Sequence, residues 1–154
     1  MLMLKNKKIL YFTVMLSLLA FVYSCEKKEP AFQPVPYEIT KKITESFSEF
    51  SGYTESEIYS NDKDKIEKYS VIKNKNNPAV EVGIFKLYDK VNADYIKNKA
   101  QTKILKMQNE KSDINLLKIL NNAEVRSYGN YVYYVSHSKK DKIFEIIENA
   151  LRGV

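Results

Sequence analysis

Ala79-Val80-Glu81-Val82-Gly83-Ile84-Phe85-Lys86-Leu87-Tyr88 is the stretch on which the fold turns. Side chains alternate across a strand, so Val80, Val82 and Ile84 share one face while Phe85 and Leu87 share the other. A strand apolar on both faces reads as central, or covered on both sides. Gly83 in its middle marks either a bulge or a close packing contact. Upstream, Tyr69-Ser70-Val71-Ile72 is a short strand candidate, closed by the loop Asn74-Lys75-Asn76-Asn77-Pro78. The residues just before it, Lys65 to Lys68, leave strand and helix open.

A second strand pair lies downstream. Glu124 to Tyr128 and Tyr131 to His137 flank Gly129-Asn130, and both turn residues accept positive φ. Helical periods fill the rest. Ile39, Ile43, Phe47 and Phe50 form one stripe, which Ser51-Gly52 stops. Thr54-Glu55-Ser56-Glu57 has capping-box spacing for a brief turn through Tyr59. Asn92 is placed to cap a long helix from Ala93 to about Glu110, with Ile96, Ala100, Ile104 and Met107 as its buried stripe. Ser112 is placed to cap a second helix carrying Ile114, Leu117 and Leu120 and ending near Asn121-Asn122. Ser138 to Asp141 has the spacing to open the last helix, which buries Phe144, Ile147 and Leu151. The expectation is an α+β domain over residues 38–154: a four-stranded, mainly antiparallel sheet made of two hairpins, with helices packed on it.

The first residues follow a different rule. Lys5, Lys7 and Lys8 precede an apolar run from Ile9 to Tyr23, then Val22-Tyr23-Ser24-Cys25 and the charged Glu26-Lys27-Lys28-Glu29-Pro30. The run is shorter than the roughly 20 residues a membrane span needs. Its length and flanks read as a signal peptide over residues 1–24. Aliphatic, variable, small and cysteine in that order resembles the lipobox of bacterial lipoproteins, whose cysteine thiol is diacylated before cleavage. Cys25 is therefore the expected lipidation site, although Tyr23 is bulky for its position. Two acyl chains, at about 0.8 kcal/mol per buried CH2, anchor stably. Residues 25–37, with Pro30, Pro34 and Pro36, read as the lipidated cysteine and an extended tether. The expected location is the extracytoplasmic face of a cell membrane.

Charge narrows the partners. The formal +6 falls once the first 24 residues go, because they carry three lysines and no acid. Twenty-two basic groups then face 19 acidic ones, a net of +3. That weak field, with Arg126 and Arg152 as the only arginines, argues against nucleic acid as a partner. A single cysteine excludes an intramolecular disulfide.

Catalytic patterns are missing. His137 is the only histidine, and no Gly-x-Ser-x-Gly elbow accompanies it. Asp62 and Asp64 do not open an EF-hand loop, because Glu67 stands where that loop needs glycine. They read, like Glu55 and Glu57, as solvated loop charge. Four glycines form no phosphate-cradling motif, and no cofactor or metal site is expected. Tyr128, Tyr131 and Tyr133 crowd the second hairpin, with Tyr131 and Tyr133 on one face. Such rings stack on sugars or partner proteins, but tyrosine also favours strands for its own sake. These three are the candidate binding face, for an envelope polysaccharide or a membrane protein.

The strand Glu81-Val82-Gly83-Ile84-Phe85-Lys86, the charged helix after it, the hairpin Gly129-Asn130-Tyr131-Val132-Tyr133-Tyr134-Val135-Ser136 and the terminal helix together resemble a family of bacterial lipoprotein domains catalogued as domain of unknown function 4358. The likeness runs from about Tyr69 to Leu151, plus the lipobox. Members are typically lipoproteins of low-GC Gram-positive bacteria with no established activity, often encoded near envelope O-acyltransferase systems. The resemblance thus implies an accessory envelope role and supplies no functional residues. The expected function is a non-enzymatic binding or accessory lipoprotein. The alternative is an envelope hydrolase or acyl-transfer enzyme, which needs His137 or paired carboxylates converging in a cleft.

Overall fold

The computed structural model describes residues 33–111 and 113–154. In chain order these form α1 (Pro36–Ser46), β1 (Gly52–Tyr53), α2 (Glu57–Asn61), β2 (Ile66–Lys73), β3 (Glu81–Leu87), a 3-10 turn (Lys90–Asn92), α3 (Ala93–Asn109), α4 (Ile114–Asn121), β4 (Glu124–Tyr128), β5 (Tyr131–Ser136) and α5 (Lys140–Arg152). The strands make one open antiparallel sheet in the order β1-β2-β3-β5-β4. The α+β class and both hairpins are as expected, but the sheet has five strands, not four. The added strand is Gly52–Tyr53, which pairs with Ile72 and Lys73. Two residues carry no periodicity of their own, so only the partner strand makes them a strand. The signal peptide, Cys25 and the Ser112 cap lie outside the described residues.

β3 is the middle strand, covered on both faces. On one side Ile72, Val82, Ile84, Tyr131, Tyr133 and Val135 meet Ile39, Ile43 and Phe47 from α1 and its end, and Ile143, Phe144 and Ile147 of α5. On the other, Val71, Phe85, Leu87, Val132 and Tyr134 meet Ile58 of α2 and Ile96, Ala100 and Ile104 of α3. Gly83 is a close contact. A Cβ built there would lie 2.3 Å from Tyr134 Cε1, because the two residues pair across β3 and β5 and the ring lies over the glycine.

Several ends differ from expectation for local reasons. α1 begins at Pro36, which suits the first turn because its missing N–H has no helical partner to lose. Pro34 and Pro36 are buried, and Tyr131 donates its hydroxyl to the Pro34 carbonyl at 2.8 Å. The folded unit therefore starts ahead of residue 38. Ser56, not Thr54, caps α2 by accepting from the Tyr59 N–H. Thr54 is instead drawn into the sheet, donating its N–H to the Val71 carbonyl at 2.9 Å. Asn92 makes no cap; Asp89 caps the preceding 3-10 turn through the Val91 N–H.

α4 is capped by Asp113, which accepts from the Asn115 and Leu116 N–H groups. Gln108 ties its far end to α3 by donating to the Leu120 carbonyl at 3.1 Å. Leu120 is thus buried while Ile114, at the other end, is 81% exposed. Met107 is only half-buried. In the second hairpin Gly129 alone takes positive φ, at 58°. Asn130 contributes through its side chain, donating to the Leu87 carbonyl at 3.0 Å.

Candidate functional site

The hairpin tyrosines are not a surface. Tyr131 and Tyr133 do share a face, but they are 4% and 2% exposed beneath α1 and α5. The pattern that puts two tyrosines on one side of β5 is the core pattern, and the sheet fills it as core. Burial pushes both hydroxyls up to about 12. Tyr133 also leans on Phe144, with ring centroids 5.9 Å apart. Only Tyr128, 43% exposed at the end of β4, stays in solvent.

Beneath α3 the strands carry a buried charged cluster that alternation did not announce. Glu81 is fully buried at the start of β3. Its Oε1 accepts from both Lys103 Nζ of α3 and the Tyr134 hydroxyl, while Lys103 and Tyr134 lie 2.6 Å apart. Its Oε2 lies 3.1 Å from Lys73 Nζ, an ion pair without hydrogen-bond alignment. Burial drives the Tyr134 hydroxyl well above its ordinary value, with Glu81 adding to the effect. Burial also lowers Lys103, although Glu81 opposes that shift. Gly83 makes the arrangement possible, since only a bare Cα lets the Tyr134 ring reach diagonally to Glu81. The signal that pointed here was the glycine, not the acid.

Asp62 also departs from expectation. It is buried at the end of α2, 3.6 Å from Lys65 and 3.9 Å from Lys99, whereas Asp64 is solvated. Both lysines also lie 5.3 Å from the centre of the Tyr95 ring. Among the described residues no group of three or more His, Cys, Asp or Glu side chains is placed to hold a metal ion.

His137 follows β5 and is buried. Its Nδ1 accepts the Lys139 N–H at 2.8 Å, so that nitrogen carries no proton and Nε2 does. Nε2–H then donates to Glu49 Oε1 at 3.0 Å. The rings of Phe47 and Phe50 stand 5.6 Å to either centroid. Both nitrogens of the imidazole are thus engaged within the fold. Its work is to fasten the end of α1 to the start of α5. Glu49's own backbone N–H holds its carboxyl below the ordinary value; burial opposes this, and His137 reinforces it.

That fastening forms one wall of a groove of about 710 Å³. Phe47, Ser48 and Glu49 line it on one side, and Lys139, Lys142, Glu145, Ile146 and Asn149 of α5 and its entry on the other. Two cations and two anions face the space, with two serines, Ser46 and Ser48, and an amide between them. Nothing there selects for one sign of charge; the chemistry suits a polar ligand approached by hydrogen bonds. No hairpin tyrosine reaches it. Comparison with protein-family models, with curated proteins and with solved structures finds no match.

Proposed function

We propose that this chain is a bacterial lipoprotein, anchored through lipid on Cys25 to the extracytoplasmic face of a membrane, whose domain is a non-enzymatic binding or accessory module of the cell envelope. The observation that carries the reading is Val22-Tyr23-Ser24-Cys25 at the end of a lysine-led apolar run. A thiol at that position takes the lipid, and two acyl chains hold where one would not. The likeness to the lipoprotein family belongs to the same reading. Within the domain, the binding surface moves from the hairpin to the groove of Phe47, Glu49, Lys142 and Asn149, because Tyr131 and Tyr133 are spent in the core. The partner suited to it is a polar one, such as an envelope glycan or a polar segment of a membrane protein.

The test is Cys25→Ala expressed in a bacterium fed a labelled fatty acid. Label should be lost, and the protein should leave the membrane fraction or accumulate as precursor. Label retained on the variant would remove the basis of the proposal.

A further inference from the structure

The contact Glu49–His137–Lys139 has one property that an amide or hydroxyl in the same place would lack. His137 Nδ1 is a hydrogen-bond acceptor here, and protonation turns it into a donor. The Lys139 N–H that it now receives would then face another N–H. Burial disfavours the charged ring, and its one direct charged partner among the described residues works against that cost. Glu49 Oε1 at 3.0 Å accepts equally from a neutral or a charged ring, and Phe47 and Phe50 present aromatic surface to it. Among the described residues, Glu49 from the segment after α1 meets the imidazole directly, and Lys139 from the turn before α5 meets it through its backbone N–H. The carboxylate meets the ring through a direct hydrogen bond, and the Lys139 side chain is exposed.

We propose that His137 is an acid-sensitive latch on the groove: on protonation it keeps Glu49 and releases Lys139, freeing the start of α5 from the Phe47–Glu49 wall. The step is a proton taken from water onto Nδ1, with the Lys139 N–H···Nδ1 bond broken and the Nε2–H···Glu49 bond retained. α5 is sensitive to this loss because no side chain caps its N-terminus; Lys139, at the capping position, makes no such bond. The wall on the α1 side stays seated through Phe47 and Phe50, both buried, so the movement falls on residues 138–142. The groove would therefore change shape between neutral and mildly acidic media, the range over which histidine is suited to act.

Nuclear magnetic resonance of the full chain in detergent, titrated from about pH 8 to about pH 5, tests this directly. The His137 ring resonances, the Lys139 amide proton and the Ser48 and Glu49 amides should move with one shared midpoint. The Lys139 proton should shift upfield as its acceptor is lost, and its protection from exchange, corrected for intrinsic rate, should fall about tenfold. His137→Asn places a carbonyl oxygen where Nδ1 stands, so it keeps the acceptor and removes the titration. In that variant the Lys139 amide should hold its neutral-pH position throughout. A Lys139 amide indifferent to pH in the parent chain overturns the latch, whatever the variant does. So does the same transition persisting in a folded His137→Asn.

Discussion

On the face under α1 and α5, Tyr131 and Tyr133 send their hydroxyls to the rim, to the Pro34 carbonyl and to within 3.5 Å of Glu148. The face under α3 instead keeps a carboxylate, Glu81, at full burial and closes it with Lys103 and Tyr134. Both faces bury tyrosines of the same strand, one residue apart in alternation. The first face is tolerant, because its polar atoms end in neutral or solvent-edge partners. The second is position-specific, because a buried charge costs several kcal/mol unless every partner is in register. A stack of rings, Tyr59, Tyr69, Phe85 and Tyr134, runs across this second face and leads to the charged cluster. The difference teaches where the fold stores its specificity: under α3, not in the more aromatic-looking hairpin surface.

The largest expected effect breaks that specific face. Glu81→Ala leaves Lys103 without its buried partner and should cost about 3–5 kcal/mol in denaturant unfolding. Adding Lys103→Met to a Glu81→Leu background should return stability to within about 2 kcal/mol of the parent, since removing both charges removes the burial problem. A single variant that loses less than about 1 kcal/mol would erase the distinction between the faces. Next comes Gly83→Ala, whose methyl meets the Tyr134 ring and should cost about 1–3 kcal/mol by overpacking. Tyr134→Leu in the same chain should make that alanine nearly neutral, if ring contact is the cause.

The tolerant face has its own signature in alkali. Tyr131 and Tyr133 hold their protons to about 12, against 10.0 for an open tyrosine. Their raised values contribute stability that is complete below pH 10.0 and lost as pH rises towards about 12. Unfolding midpoints should therefore decline across that window, with tyrosinate absorbance appearing in step. Tyr133→Phe should flatten the decline. A smaller effect is Tyr131→Phe, which removes the bond to Pro34 and should cost about 1 kcal/mol. Tyr128→Phe, on an exposed ring, should change stability by less than about 0.5 kcal/mol.

Much of this fold was legible because burial leaves periods in the chain. Val82 and Ile84 against Phe85 and Leu87 announced a strand covered on both faces, and β3 is that strand. Gly129-Asn130 announced its hairpin. What was illegible depends on partners distant in sequence. Gly52–Tyr53 becomes a strand only beside Ile72 and Lys73. Tyr131 and Tyr133 look the same in sequence whether a helix lies over them or not, and α1 and α5 decide it. Glu81 stands where alternation puts many a surface residue, and partners distant in sequence, Lys103 22 residues on and Tyr134 53 residues on, account for its burial. Ile114 keeps helical spacing yet points to solvent, because α4 is secured at its other end.

The bond from Tyr131 to Pro34 also has a mechanical side. Under the proposed lipid anchor, with residues 25–37 as the tether, a pull on the chain would meet the bond at Pro34. There the chain is clamped by its carbonyl to β5, a strand with neighbours on both sides, before the first turn of α1 begins. Such a load would pass into the sheet rather than peel the helix away turn by turn. Under that proposal, a tyrosine set in the core would act as strain relief at the point where the cable meets the housing.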